Sequence, residues 1–163
     1  MPVADFQQVD ISDIDTAPIV VRLDRRIKAP RQAVWDLLAL EPSRWADFVP
    51  GFSRKSHWVK QTPDGIGSVR RVTAGGLTID EEILVHEVGS RWGFRVVSAP
   101  LPLAKGLAED YRLEDAPGGC ILHWSVGAWP YGPPALARPV ITGVFTFLAN
   151  KLSAGLEREA GTS

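Results

Sequence analysis

The chain has 163 residues, of which 45% are apolar, and this is the size and composition of one globular domain. Its formal net charge is −1 and its acidic and basic residues interleave, which argues against nucleic acid as a partner because nucleic-acid-binding domains concentrate basic charge. Cys120 is the only cysteine, so an internal disulfide is excluded and a reducing compartment, the cytoplasm, is expected.

The first element in chain order is a strand. Residues 1–17 carry several aspartates but no basic start followed by an apolar core, so they are predicted to be an acidic, solvated lead-in rather than a secretory signal. Ile19–Ile27 then alternates apolar and charged residues for most of its length, which predicts a strand with one buried face. We expect residues 18–160 to form a single domain.

Two short helices are predicted after this strand. Pro30 stands where a helix can begin, and apolar residues recur behind it at the spacing of one helical face. A second helix is predicted from Pro42 to Phe48, and Pro50-Gly51 ends it. Phe48 and Phe52 flank this break and are candidates for a gate, although a local hydrophobic plug is the preferred interpretation.

Turn-forming residues divide the middle of the chain into six further antiparallel strands. These strands are predicted at residues 53–61, 67–74, 77–87, 91–98, 107–114 and 120–129. Residues 98–106 and 129–134 are predicted to be loops and are apolar for loops. Loops of this kind often cover a site.

A long helix is predicted from Pro139 to about Glu159. One broad arc of this helix is expected to pack on the sheet and holds Val140, Ile141, Val144, Phe145, Phe147, Leu148, Leu152 and Leu156. Lys151 lies at the margin of the arc, where its stem is expected to cover apolar surface; contact with an anionic ligand head group is the alternative. No apolar run approaches the ~20 residues of a membrane span. The element order indicates an α+β fold in which a strongly curved, seven-stranded antiparallel sheet wraps around the terminal helix.

Several short motifs occur in a characteristic order along nearly the whole chain. They are Ile27 to Pro30 followed by Val34-Trp35, then Trp45, Phe48 and Pro50-Gly51, then Gly67 to Arg70, Glu81 with Ile83, Arg91 to Val96, and Gly118-Gly119-Cys120 before Leu122 and Trp124. In these residues the chain resembles the SRPBCC superfamily, the START and Bet v 1-like helix-grip proteins, and most closely its bacterial polyketide cyclase/dehydrase-like branch. The resemblance implies a deep, mainly apolar cavity between sheet and long helix that holds a lipid, a polyketide or another hydrophobic molecule. It does not name an activity, because the family includes binders, cyclases, hydrolases and partner-regulating proteins.

Glu81 is the polar residue of the predicted interior that most needs an explanation. Alternation along residues 77–85 places it on one face with apolar neighbours. A carboxylate buried without a partner would lose its charge, so either Glu81 is protonated or a cation lies nearby. Arg71 is the first candidate, and Arg70 is the alternative if the other face of its strand points inward. The pair is either a polar anchor or acid/base pair in the cavity, or a structural ion pair at the sheet's rim, which is preferred.

Residues near the middle of facing elements are expected to line the cavity. The candidate ligand-binding residues are Phe48, Phe52, Trp58, Arg71, Glu81, Ile83, Phe94, Val96, Tyr111, Trp124, Val144, Leu148 and Lys151. Each aromatic ring taken alone is more simply explained as core. The Tyr111 hydroxyl needs a hydrogen-bond partner when buried, which could be Glu81, a water or a bound carbonyl.

Three functions are open from the sequence. The preferred one is non-catalytic binding of a hydrophobic small molecule, as a carrier or sensor, by a monomer or homodimer. The second is a polyketide cyclase/dehydrase-like enzyme with Glu81, Arg71 and Tyr111 as acid/base groups. The third is a partner-binding regulator that uses the Pro-rich surface of residues 129–139. No cofactor is expected. No metal site is expected either, because the three histidines lie on separate strands without ligand spacing.

Overall fold

The computed structural model describes residues 6–100 and 104–161. Its strands and α-helices are β1 (Ile19–Ile27), α1 (Arg31–Ala39), α2 (Trp45–Phe48), β2 (His57–Lys60), β3 (Val69–Ala74), β4 (Leu77–Glu87), β5 (Arg91–Ser98), β6 (Ala104–Ala116), β7 (Gly119–Pro130) and α3 (Pro134–Ala160). Short 3₁₀ turns at Ile11–Thr16 and Pro42–Arg44 precede β1 and α2. The predicted order of one strand, two short helices, six strands and a long helix is confirmed.

The seven strands form one antiparallel sheet in the order β1-β7-β6-β5-β4-β3-β2. Register shifts interrupt the pairing of β2 with β3, of β4 with β5 and of β6 with β7. Such irregularities bend a strand and increase its twist, which lets the sheet curve. α3 crosses the concave side of the sheet and contacts β1, β7, α1 and α2. The predicted helix-grip fold is confirmed.

The largest differences between predicted and observed strand boundaries are at β2 and β6. β2 is confined to His57–Lys60, because the residues before it form a turn in which the amide of Ser56 donates to the carbonyl of Ser53 at 3.1 Å. β6 begins at Ala104, so the loop predicted over residues 98–106 is in part strand. The middle of that predicted loop, residues 101–103, lies outside the described residues.

α3 begins at Pro134, five residues earlier than predicted, and contains Pro139 in its interior. Proline at a first helical position loses nothing, because that N–H would have no helical partner. Pro139 removes one later hydrogen bond, whose acceptor would be the carbonyl of Ala135. Ala135 is exposed, so water can donate a hydrogen bond to its carbonyl instead. The predicted helix start at Pro139 was wrong, because the helix tolerates this proline where the unpaired carbonyl of Ala135 is exposed.

The predicted apolar arc of α3 is only partly buried. Ile141 and Phe145 pack into the core as expected, as do Leu152 and Leu156. Val140, Val144 and Phe147 are half-exposed, so their predicted burial against the sheet is wrong. This arc is wider than the surface that the sheet and α2 offer to it. None of the helices in the described part of the chain has the length and apolar character needed to cross a membrane.

A glycine sets the distance between α2 and α3. At Gly155 a Cβ atom would stand 2.2 Å from the carbonyl oxygen of Phe48 and 2.5 Å from its Cβ. No larger residue fits there without moving one helix. Gly155 therefore lets α2 lie directly on α3, which holds the segment after α2 beside the open end of the sheet.

Residues 7–16 cover the outer face of the sheet rather than extending into solvent. Val9, Ile11 and Ile14 are buried and form a second apolar cluster with Ala108 of β6. β6 is central in the sheet and its outward residues are also buried, so they need a cover. The prediction of a solvated lead-in is wrong for these residues, because their apolar side chains recur between the aspartates.

Candidate functional site

The sheet register gathers polar residues on the concave face. Arg70 of β3 stands directly opposite Glu81 of β4. Glu109 and Tyr111 lie two residues apart on β6 and so point to the same side, and Tyr111 stands opposite Trp124 of β7. The register alone thus places one cation, two carboxyls and two aromatic donors on one surface facing α3.

Arg70 is the partner of Glu81. Its Nε donates to Oε2 of Glu81 at 2.5 Å, and the two residues are only 2% and 7% exposed. Arg71 instead points to the outer face, where it makes two 2.8 Å hydrogen bonds with Asp80. Of the two alternatives for Glu81, a nearby cation is the one present in the structure, and it is Arg70 rather than Arg71. Arg71 as a cavity residue is wrong. The pair is also not at the rim, because both side chains line an internal space.

Three aromatic rings surround the guanidinium of Arg70. Its Cζ lies 4.5 Å from the ring centroid of Trp92, 4.8 Å from that of Trp45 and 5.0 Å from that of Phe94. Ring faces stabilise a desolvated cation. Its Nε is bound to Glu81, but its two terminal nitrogens have no hydrogen-bond acceptor among the described residues. Arg70 therefore keeps unused donors at the cavity wall.

Glu109 is the second buried carboxyl of the site. Its Oε2 accepts a 2.6 Å hydrogen bond from the Tyr111 hydroxyl and a 3.0 Å hydrogen bond from Nε1 of Trp124. Burial, and next the charge of Glu81, raise the pKa of Glu109 from 4.5 to about 8. Burial and the neighbouring Glu109 raise the pKa of Tyr111 well above 10, so the phenol stays protonated. The hydrogen-bond partner of the Tyr111 hydroxyl is therefore Glu109, not Glu81.

The interior is electrically neutral only when one carboxyl keeps its proton. Burial raises the pKa of Glu81 too, but the Arg70 guanidinium opposes that rise through its charge and hydrogen bond. Glu109 has no hydrogen bond from Arg70. At neutral pH the arrangement is therefore an Arg70–Glu81 ion pair beside a protonated Glu109, which can donate as well as accept a hydrogen bond.

Two adjoining spaces lie between the sheet and α3. The larger one, the outer chamber, has a volume of about 430 Å³ and apolar walls except for Glu81 and Glu109. The smaller one, the inner pocket, has about 50 Å³ and lies at Arg70, Glu81, Glu109 and Tyr111. Its volume suits a few waters or one small polar group. Phe52 and both carboxyls border the two spaces. The outer chamber therefore ends on the two carboxyls of a group formed by Arg70, Glu81, Glu109 and Tyr111, which we call the polar cluster.

The outer chamber opens beside the segment that follows α2. Pro50 and Gly51 line it, together with Gly75 in the β3–β4 turn. Gly51 has a φ of +89°, a conformation that favours glycine, and its carbonyl accepts from the amide of Gly75 at 3.0 Å. Phe52 forms an isolated bridge with Ala74. The break at Pro50-Gly51 is therefore a loop that is hydrogen-bonded to the β3–β4 turn.

The predicted lining residues divide into two groups. Those that border the outer chamber or inner pocket are Phe52, Glu81, Phe94, Val96, Tyr111, Trp124, Val144 and Leu148. Those that border neither space in the described structure are Phe48, Trp58, Ile83, Arg71 and Lys151. Phe48 and Ile83 are core, and Trp58 donates its indole N–H to the Leu40 carbonyl. Lys151 is exposed, in accord with a stem on apolar surface.

Glu109 was missed by the sequence prediction. The alternation that placed Glu81 inward applies equally to residues 107–113, where Leu107, Glu109, Tyr111 and Leu113 share a face. The signal was therefore present in β6. Among the residues that the structure describes, no cluster of three or more His, Cys, Asp or Glu side chains could hold a metal ion.

Comparison with known proteins gives a family match over most of the chain. The model of the family "Polyketide cyclase / dehydrase and lipid transport" matches residues 18–157. An uncharacterized protein of Mycobacterium tuberculosis, Rv2574, is 30% identical over 136 residues, which is 83% of this chain and 78% of that protein.

Two solved structures share the fold at low identity. A START superfamily protein from Mycobacterium smegmatis has a TM-score of 0.71 at 10% identity and covers 88% of this chain and 97% of its own. The di-domain ARO/CYC BexL from the BE-7585A biosynthetic pathway has a TM-score of 0.71 at 14% identity, covering 92% of this chain and 53% of its own.

Proposed function

The chain belongs to the polyketide cyclase/dehydrase and lipid transport family, and we propose that it binds one mainly apolar small molecule in the outer chamber, as a carrier or sensor. The observation that carries the proposal is the chamber itself: about 430 Å³, with apolar walls that end on a buried polar cluster. Small-molecule sites typically have 300–1,000 Å³, mainly apolar walls and a few convergent polar groups.

The polar cluster indicates which end of the molecule enters first. The terminal nitrogens of Arg70 and the protonated carboxyl of Glu109 are hydrogen-bond donors at the inner pocket. An oxygen acceptor, such as a carbonyl, satisfies these donors without adding a charge to a neutral interior. We therefore propose a ligand with an apolar body, which fills the outer chamber, and an uncharged oxygen-bearing end at Arg70.

Filling the outer chamber tests the proposal. Val144 lines the chamber and is half-exposed, so Val144→Trp is expected to occupy its entrance without loss of folding. The matched control is Thr142→Trp, at an exposed position of α3 that does not line the chamber. Binding of the neutral fluorophore N-phenyl-1-naphthylamine is expected to fall at least tenfold in the first variant only, since a blocked pocket loses the apolar contact that drives binding.

Equal binding by wild type and Val144→Trp would contradict the proposal. Native mass spectrometry of the purified protein is an independent measurement, because a carrier retains its molecule during purification. A discrete additional mass that is absent from Val144→Trp and retained in Thr142→Trp is the expected result.

Acid/base catalysis is a second candidate function, favoured by one observation. Glu109 borders both spaces, and its pKa of about 8 lets it give or take a proton near neutral pH. In this role Glu109 would protonate the oxygen of a carbonyl held at Arg70, and the chamber would fold a flexible polyketide-like chain. The test is turnover of a poly-β-ketone thioester mimic: Glu109→Gln should abolish it and preserve binding. Turnover that persists in Glu109→Gln would exclude Glu109 as the acid.

A further inference from the structure

Five side chains stand between the outer chamber and the inner pocket. Among the described residues, those that border both spaces are Phe52, Glu81, Glu109, Phe145 and Leu148, which we call the collar. Arg70 and Tyr111 border the inner pocket but not the outer chamber. A group that moves from the chamber to Arg70 must therefore pass between the members of the collar.

The α3 side of the collar is fixed by the core. Phe145 and Leu148 stand about one turn apart on the helix, so their side chains lie on the same face. Phe145 is buried, and its ring meets that of Trp124 edge-on with the centroids 5.6 Å apart. Because Trp124 belongs to the central part of the sheet, this contact ties the helix side of the collar to the sheet.

Backbone contacts with β3 hold Phe52 on the opposite side of the collar. The amide of Ser53 donates to the carbonyl of Thr73 at 2.8 Å, and Phe52 itself forms the bridge with Ala74. The Phe52 ring packs on Trp45 with the centroids 5.4 Å apart. Both sides of the collar are thus in place before a ligand arrives, and a preformed passage selects ligands by shape.

We propose that Phe52 is a specificity-determining residue, which narrows the collar so that only a slender oxygen-bearing end, such as a terminal carbonyl on an unbranched chain, reaches Arg70. This inference rests on the proposed binding function and adds the shape of the ligand that the site selects. The inner pocket imposes the same limit, because about 50 Å³ has room for one small polar group but not for two chain segments. The selected ligand is an apolar chain with its carbonyl at one end rather than in its middle.

Two collar members carry rings, and Phe52 is the one whose loss leaves the polar cluster intact. Phe145 packs on Trp124, which donates to Glu109, so a shorter side chain there would disturb a hydrogen bond of the cluster. Phe52 is only partly buried and packs on Trp45, whose indole N–H donates to a main-chain carbonyl instead. A Phe52 variant therefore reports on the width of the passage.

Two isomeric ketones test the inference. 2-Undecanone and 6-undecanone have the same composition and nearly the same hydrophobicity, and they differ in whether the carbonyl is near the end or in the middle of the chain. Displacement of N-phenyl-1-naphthylamine measures the affinity of each. Wild-type protein is expected to bind 2-undecanone roughly tenfold or more tightly, because a hydrogen bond to a charged donor contributes about that factor and the 6-undecanone oxygen does not reach Arg70.

Phe52→Ala should reduce this preference to less than about threefold, chiefly by tightening the binding of 6-undecanone. The matched control is Phe147→Ala, which removes the same ring from an exposed position of α3 that borders neither space and should keep the wild-type preference. Phe52→Leu keeps an apolar contact with Trp45 and should reduce the preference in the same direction. It preserves the test if Phe52→Ala does not fold.

The carbon-13 chemical shift of each ketone, labelled at its carbonyl, reports on the oxygen itself. A carbonyl carbon moves downfield when its oxygen accepts a hydrogen bond. In wild-type protein only bound 2-undecanone should show this shift, whereas in Phe52→Ala both ketones should show it. A general loosening of the fold would instead weaken the binding of both ketones and would not move the 6-undecanone signal downfield.

The possible outcomes separate this inference from the proposed function. Wild-type protein that binds N-phenyl-1-naphthylamine and also binds both ketones equally would overturn the inference and leave the binding function in place. A tenfold preference that persists in both Phe52 variants would show that Phe52 does not set it, and would also overturn the inference. Wild-type protein that binds neither the fluorophore nor either ketone would refute the outer chamber as a ligand site.

Discussion

Glu109→Gln should change how the stability of this protein depends on pH. The neutral carboxyl of Glu109 accepts hydrogen bonds from Tyr111 and Trp124 through one oxygen. Glutamine retains a carbonyl oxygen for both donors but cannot ionise. We therefore expect the free energy of unfolding of the variant to be close to that of the wild type at pH 5. At pH 8 we expect it to be larger than that of the wild type.

The magnitude follows from the pKa. Below about pH 4.5 the carboxyl is protonated in both the folded and unfolded states, so it does not make stability depend on pH. Between pH 5 and 8 the unfolded chain has released this proton, whereas folded Glu109, whose pKa is about 8, still holds it. Stability therefore falls as pH rises through this window, by up to ~1.4 kcal/mol per unit. The full rise from 4.5 to about 8 corresponds to roughly 5 kcal/mol.

Urea unfolding followed by tryptophan fluorescence at pH 5, 6, 7 and 8 measures the effect. Other titrating groups, including His86 and His123, are common to both proteins and cancel in the difference between their free energies of unfolding. The expected difference grows with pH in favour of Glu109→Gln. Glu41→Gln is the matched control at an exposed position and should follow the wild-type curve. Parallel curves for Glu109→Gln and wild type would refute a buried, neutral Glu109.

Further predictions concern the ion pair and the helix contact. Arg70→Met should destabilise the fold by ~3–5 kcal/mol at pH 7, because it leaves the buried carboxylate of Glu81 uncompensated. Arg71→Met removes an exposed ion pair and should cost less than about 1 kcal/mol; equal losses in urea unfolding would contradict the assignment of Arg70 to the interior. Gly155→Ala should cost ~1–3 kcal/mol or more, because the added methyl overlaps α2. Gly143→Ala, where no atom lies within 4 Å of the added group, should instead stabilise α3 by up to ~1 kcal/mol, and thermal unfolding distinguishes the two.

The choice between Arg70 and Arg71 could have been made from the sequence. Gly75-Gly76 forms a two-residue turn, and a hairpin closed by such a turn pairs Ala74 with Leu77. Counting back along both strands then pairs residue 70 with residue 81. The prediction used the alternation of each strand but not the register that the turn imposes, and so it placed Arg71 first.

The exposure along α3 could not be predicted in the same way. A helical wheel shows which residues share an arc but not how much of that arc a partner covers. Val144 borders the outer chamber, and Phe147 is half-exposed without bordering it. The walls next to Val144 come from residues 50–52 and the β3–β4 turn, which are far from α3 in the sequence. Long-range packing of this kind leaves no periodic signal in the chain.

The polar cluster is difficult to explain by stability alone. A buried ion pair is often no more stable than apolar residues of the same volume. Glu109 adds a carboxyl whose buried state becomes steadily less favourable from pH 5 to 8. Both carboxyls nevertheless stand where the apolar chamber ends, and Arg70 holds unused donors at the same place. A bound oxygen would use those donors, so the cluster has the arrangement of a site that a ligand completes.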